Sequence, residues 1–421
     1  MLSSAFSVLF VVFFLSTLAL RYWLARRQIR HVLAHRAQVP ADFAAKVTLP
    51  AHQKGADYTV AKTRFGLFHA LFDGLVLMGF TLLGGLQALS TALLPVAGPG
   101  VVHGMLLLVA YAAIAGLLEL PFGYYFNFVL EQRFGFNKMS VGLWVKDGLL
   151  HLGIGAVLGL PLLWAVLTLM ERSGALWWVY TWVVWSAFQL LVMVIYPIWI
   201  APLFNKFTPV EDVTLKSRID GLLARVDFAA KGLFVMDGSK RSAHGNALFS
   251  GFGKNKRIVF FDTLIDKLAP QEVEAVLAHE LGHFKLKHIV KRILVAFALS
   301  FAFLALLGWL KEQAWFYGGL GVRPMLGRPN DAMALLLFML ALPVFTFPFA
   351  PLASLSSRRH EFEADAFAAK HSDARDLVSA LVKMYDDNAS TLTPDPLHSA
   401  FYDSHPKPWV RVQRLQAAGL V

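Results

Sequence analysis

Residues 271–310 read QEVEAVLAHELGHFKLKHIVKRILVAFALSFAFLALLGWL. The stretch has no proline, and Pro270 stands just ahead of it, where a helix can begin. At about 1.5 Å per residue it spells a helix roughly 60 Å long. Its first half is amphipathic and carries His279, Glu280 and His283. Its second half, from Ile293, is apolar and roughly the length that crosses a bilayer. The pattern predicts one continuous helix that starts at the aqueous edge of a membrane and runs into it.

His279-Glu280-Leu281-Gly282-His283 places two imidazoles at i and i+4, on one helix face, where both reach one metal ion. Glu280, about 100° round the helix, is set to take a proton from a water beside that ion. Zinc suits imidazole ligands, and a catalytic zinc keeps one position open for water. The chain has no cysteine, so there is no disulfide framework and a metal must be held by His, Asp or Glu.

Working outward, 57% of the 421 residues are hydrophobic and 16% charged, and the mean hydropathy is +0.54. Those values exclude an ordinary soluble globule and predict a polytopic membrane protein. Apolar spans are expected at 5–24, 67–95, 101–129, 148–170, 176–200, 290–309 and 332–354. The span 67–95 carries His69 and Asp73, which must face a protein interior or water. Nearly all of the 39 lysines and arginines fall in 21–66, 131–147, 201–293 and 355–421. The positive-inside rule then puts the N-terminus outside and the polar segments in the cytosol. The net charge of +11 fits basic cytosolic loops beside anionic lipid, and no nucleic-acid motif accompanies it.

The chain divides into spans one to five (1–200), a cytosolic segment with the His-Glu pair (201–289), spans six and seven (290–354), and a cytosolic C-terminal segment (355–421). Residues 131–147 read as an amphipathic stretch at the membrane interface. Residues 212–230 read as a helix. The runs 232–236 and 257–261 read as strands, with a tip at Gly251–Asn255. A small sheet against the zinc helix would offer an edge strand to an extended peptide.

A catalytic zinc takes three protein ligands. After the last span, residues 356–385 have helical composition and offer His360, Glu361, Glu363, Asp365 and His371. Glu361 and Asp365, at i and i+4, share a face, and Glu363 points away. Glu361 is the expected ligand and Asp365 the carboxylate that orients a ligand histidine. His360 and His371 are expected to be exposed, and His288 to lie at the membrane interface.

Six blocks carry a resemblance over nearly the whole chain: EQRFGFNKMSVGLWVKD (131–147), YPIWIAPLFNKFTPV (196–210), SAHGNALFSGFGKNKRIVFFDTLI (242–265), AVLAHELGHFKLKH (275–288), SRRHEFEADAFA (357–368) and SHP (404–406). Their order and content resemble the type I CAAX prenyl proteases, integral-membrane zinc metallopeptidases. The resemblance implies one Zn²⁺ per chain held by His279, His283 and Glu361, with Glu280 activating water and Asp365 supporting a ligand histidine. It implies that Asn246 and Ala247 align the substrate, and that His405 and Arg411 bind substrate or the developing oxyanion. The implied fold is all-α and polytopic, seven transmembrane helices around a chamber, with a small α+β zinc metallopeptidase domain. The implied substrate is a peptide or protein, in eukaryotes one with a prenylated C-terminal Cys from which a tripeptide is removed. The absence of cysteine and the Ala/Leu/Arg-rich composition point to a bacterial inner membrane over the endoplasmic reticulum, with membrane-protein quality control as the matching role. A reading of another class is a seven-helix transporter or receptor with an incidental or scaffold zinc site.

Overall fold

A computed structural model of the chain describes residues 1–44, 46–230, 232–245, 247–250, 257–324 and 330–418. Four helices open it: α1 (Leu2–Ala34), α2 (Leu49–Phe80), α3 (Gly85–Ala97) and α4 (Val101–Tyr125). Among the described residues, six helices are long and apolar enough to cross a membrane, and α2 with α3, bent by 53°, makes a seventh span if counted as one. The bend is local chemistry: Gly84 sits at φ +81°, where a side chain is strained, and a Cβ on Gly85 would stand 2.6 Å from the Gly79 carbonyl oxygen. Helices Val141–Arg172, Trp177–Ile195, His288–Leu310 and Asp331–Thr346 complete the membrane layer. Phe10, Leu107, Leu167, Leu307 and Leu337 pack at its centre.

The polar part has its own core, with a four-stranded sheet in the order β1-β2-β4-β3. β1 (Phe207–Pro209) and β2 (Leu233–Met236) run antiparallel, β2 and β4 (Arg257–Phe261) parallel, and β3 (Ala247–Ser250) antiparallel to β4. The expected strands are therefore present, while the tip at Gly251–Asn255 lies outside the described residues. The expected helix at 212–230 spans Val213–Arg225, with Asp212 capping it through the Leu215 N–H.

At the centre lies the motif helix, Pro270–Lys285, buried at every position from Glu272 to His279. Its two buried acids are paired outward: Glu272 with Ser379 and Lys383, Glu274 with Arg218 and Arg225. Each pair ties the helix to a neighbour, since a buried carboxylate without a partner is costly.

One expectation is corrected here. The 271–310 stretch is not one helix: it breaks at Leu286 and Lys287, and a second helix starts at His288. Lys287 has a left-handed backbone, φ +58°, which ends an α-helix; the usual glycine is missing, so the sequence gives no warning. Residues 131–147, expected at the membrane interface, are tied to the polar part. Asn137 bridges Ser242, Phe136 accepts from the Ala243 N–H, and Asp147 holds Arg241 through two hydrogen bonds of 2.7 and 2.9 Å. This loop brackets the sheet domain to the membrane helices.

The left-handed Lys287 makes a stability prediction. Lys287→Gly should raise the apparent melting temperature in detergent, by the equivalent of about 1 kcal/mol. Lys287→Val should lower it, because a β-branched residue fits that conformation worst. The reverse order would contradict the break.

Candidate metal centre

The site forms where the motif helix crosses the helix Ala350–His371, here the acid helix. On the acid helix Glu361, Ala364, Asp365 and Ala368 are all buried, a spacing of i, i+3, i+4 and i+7 that makes one face. Two of the four are alanine, so the backbones approach closely. Gly282 of the motif helix completes the fit: a Cβ there would stand 3.0 Å from Ala364 Cα and 3.1 Å from Phe367 Cβ.

This close crossing brings three donors together. His279 Nε2 and His283 Nε2 are 3.2 Å apart, and the two Glu361 oxygens lie 3.4 and 3.3 Å from them. Bonds of about 2.0–2.1 Å meeting at a tetrahedral angle hold their donors roughly 3.3–3.4 Å apart. The three groups therefore fit a metal ion of zinc's size. Two further observations agree. Glu361 Oε2 is buried with no hydrogen-bond partner. Burial alone would lower the His279 pKa, yet the carboxylates of Asp365 and Glu361 beside it raise it to about 9. The pocket draws in positive charge, which a divalent ion supplies.

The far nitrogen of each histidine is also held. His279 Nδ1 is 2.9 Å from Asp365 Oδ1. Arg411 clasps the same carboxylate, Nε to Oδ2 at 2.8 Å and Nη2 to Oδ1 at 2.5 Å. Arg411 is only 5% exposed, so its guanidinium is committed behind His279. His405 differs: it is exposed, and its Nε2 stands 3.5 Å from Glu361 Oε1 on the open side. Glu280 is half-buried on the cleft wall and, among the described residues, its carboxylate has no hydrogen-bond partner. Ala247, the first residue of the terminal strand β3, lines the same cleft of about 410 Å³. Asn246 lies outside the described residues.

His288 was not expected here. It is 1% exposed, with Nδ1 3.0 Å from His283 Nδ1 and Nε2 3.0 Å from Glu363 Oε2. If His283 gives Nε2 to a metal ion, its Nδ1–H donates to His288 Nδ1, and His288 Nε2–H donates to Glu363. His360 stacks on His288 at 4.1 Å, and both His360 and His371 are half-buried where exposure was expected. The spacing His283-x4-His288 signalled nothing, because on a continuous helix the two rings diverge. The break at Lys287 brings them together.

The chain is similar to known proteins over most of its length. Residues 28–206 match the family described as CAAX prenyl protease N-terminal, five membrane helices, and residues 209–418 match peptidase family M48. The chain is 34% identical to the CAAX prenyl protease 1 homolog of Arabidopsis thaliana, over 90% of each chain. It is 34% identical to CAAX prenyl protease 1 of Saccharomyces cerevisiae, over 84% of this chain and 83% of the relative. It is 31% identical to the Homo sapiens CAAX prenyl protease 1 homolog, over 94% and 92%. The crystal structure of S. mikatae Ste24p superposes with a TM-score of 0.90 at 30% identity, over 97% of this chain and 99% of that one. These relatives are eukaryotic and lend no support to a bacterial inner membrane.

Two variants test the geometry. His288→Ala should weaken metal binding about 10- to 100-fold in competition with a chelator, as loss of a group that orients a ligand does. Gly282→Leu should separate the two helices and abolish metal binding while the helical circular dichroism stays; retained metal would contradict the crossing.

Proposed function

Because the chain belongs to the CAAX prenyl protease 1 family of M48 peptidases, and is thereby a multi-pass membrane metallopeptidase, we propose that His279, His283 and Glu361 hold one zinc ion at its centre. Family membership sets aside the transporter or receptor reading. The observation that carries the proposal is that His279 Nε2 and His283 Nε2 lie 3.2 Å apart, each with one Glu361 carboxylate oxygen 3.4 or 3.3 Å away. When bound, zinc supplies a Lewis acid that polarises the scissile carbonyl and brings the pKa of water from 15.7 toward about 7.

The chain's own residues do the rest. Glu280, on the cleft wall with no competing partner among the described residues, takes the proton of the attacking water and returns it to the leaving amine. Asp365 accepts from His279 Nδ1–H and fixes that ring. Arg411 holds Asp365 and balances its charge, a positioning role in place of the direct oxyanion contact expected from the sequence. His405, exposed beside Glu361, is the side chain that reaches the oxyanion. β3 is the terminal strand of the sheet and borders the cleft through Ala247; a peptide laid along it is held extended, with Ala247 in contact.

The substrate is a peptide that ends in a prenylated Cys and three further residues. The membrane part comprises 1–200 and 290–354, and the metallopeptidase part 201–289 with 355–421. The positive-inside rule puts the second part on the cytosolic side and the N-terminus outside.

The test is zinc content together with cleavage of farnesylated and plain peptides. Glu280→Ala should keep one zinc per chain and lose cleavage by 10³-fold or about that order. His283→Ala should lose both. Turnover retained by Glu280→Ala would remove the assigned base.

A further inference from the structure

α2 and α4 face each other across aromatic rings near the metallopeptidase part. Phe65 stacks with Tyr125 at 5.5 Å, and Phe68 and Phe72 lie 5.9 and 4.7 Å from Phe122. Between them opens a groove of about 650 Å³, with Leu130 and Phe134 on its wall. Its rings are not packed away: Phe68 is 64% exposed and Tyr125 49%.

A run of contacts leads from the groove toward the metal cleft. α4 continues into a wider turn at Phe126–Glu131, a form that often marks functional sites. Leu130 of that turn lines the groove, while its neighbour Glu131 accepts from Tyr58 and lies 3.4 Å from His244 Nε2. His244 in turn contacts Asn388 at 3.0 Å. Ala247 and Met384, three and four residues away from those two, line the metal cleft. Three residues span at most about 10 Å, so this run of contacts ends within that reach of the strand along which the peptide is laid. At its other end, one helical turn deeper, His69 contacts Glu119 at 2.8 Å and Asp73 at 3.5 Å. That polar cluster ends the apolar wall.

We infer that this groove holds the isoprenyl chain of the substrate, an inference that rests on the reading of the protein as a prenyl protease. The prenyl group sits on the residue next to the scissile bond, so its chain must lie against the cleft. Aromatic walls suit a branched hydrocarbon with double bonds, which loses its contact with water there and stacks on ring faces. The cluster of His69, Asp73 and Glu119 is a floor that an apolar chain does not cross without stripping water from charged groups. A phospholipid would seat its phosphate on Arg64 and Arg133, the two cations on the wall, and would bind whatever the substrate. An isoprenyl chain has no use for those cations.

The test uses the full-length protein in nanodiscs, with one peptide in farnesylated and plain forms. Phe68→Ala and Phe68→Ala/Phe122→Ala should raise KM for the farnesylated peptide about tenfold and leave kcat and the plain peptide unchanged; the plain peptide reports folding. A diazirine-bearing farnesyl peptide, irradiated on the Glu280→Ala protein, should label α2 and α4 around Phe65, Phe68 and Phe122. Equal loss on both peptides, or labelling elsewhere, would overturn the groove. So would a result in which Arg64→Gln/Arg133→Gln, and not the phenylalanine variants, removes the labelling, which would mark a phospholipid site. A wild-type enzyme with the same KM for both peptides would remove the prenyl reading itself, a failure recognised because there is no gap for the variants to lose.

Discussion

The crossing of the motif helix and the acid helix governs the rest of the molecule. Gly282 against Ala364 and Phe367 lets two backbones meet with no side chain between them. That separation brings two imidazoles and a carboxylate within 4.8 Å of one another, a group that could hold one metal ion. The arrangement is unstable by itself, because it buries Glu361 and Asp365 in an apolar core. Arg411 offsets one carboxylate, and the proposed metal ion would offset the other. On the proposed reading, metal binding and helix packing are one event, seen from the chemistry and from the fold.

The surrounding structure keeps that crossing in place. Glu272 and Glu274 pin the motif helix to its flanking helices through Lys383, Arg218 and Arg225. The membrane helices reach in from the other side. Asp147 of Val141–Arg172 grips Arg241, and Arg27 of α1 grips Asp395, which also caps the helix Pro396–Tyr402. These contacts lie close to the chain segments that bear Ala247 and His405. The membrane layer is thus a frame for both walls of the cleft as well as an anchor.

Much of this was legible in the sequence because it rests on simple periods. The i, i+4 spacing of His279 and His283, and of Glu361 and Asp365, survives any environment that keeps a helix. The spans follow from apolar length, and the positions of β2 and β4 from short β-branched and aromatic runs. What stayed hidden depends on tertiary context. Lys287 adopts a left-handed turn without the glycine that signals one, so 271–310 looked continuous and His288 looked remote from His283. Arg411 was legible as a cleft residue, but not the side on which its guanidinium is spent: only the fold brings it to Asp365, 46 residues away. The tie from Tyr58 through Glu131 to His244 and Asn388 joins residues so far apart in the chain that no local pattern carries it.

The central claim is that two imidazoles and one carboxylate, brought together by that crossing, hold a zinc ion. The most direct measurement is the zinc K-edge absorption spectrum of the purified protein. The account predicts a first shell of nitrogen and oxygen at about 2.0–2.1 Å with two-imidazole scattering, lost on Glu361→Ala. A protein that cleaves its peptide without zinc, or a shell unchanged by removing Glu361, would contradict it.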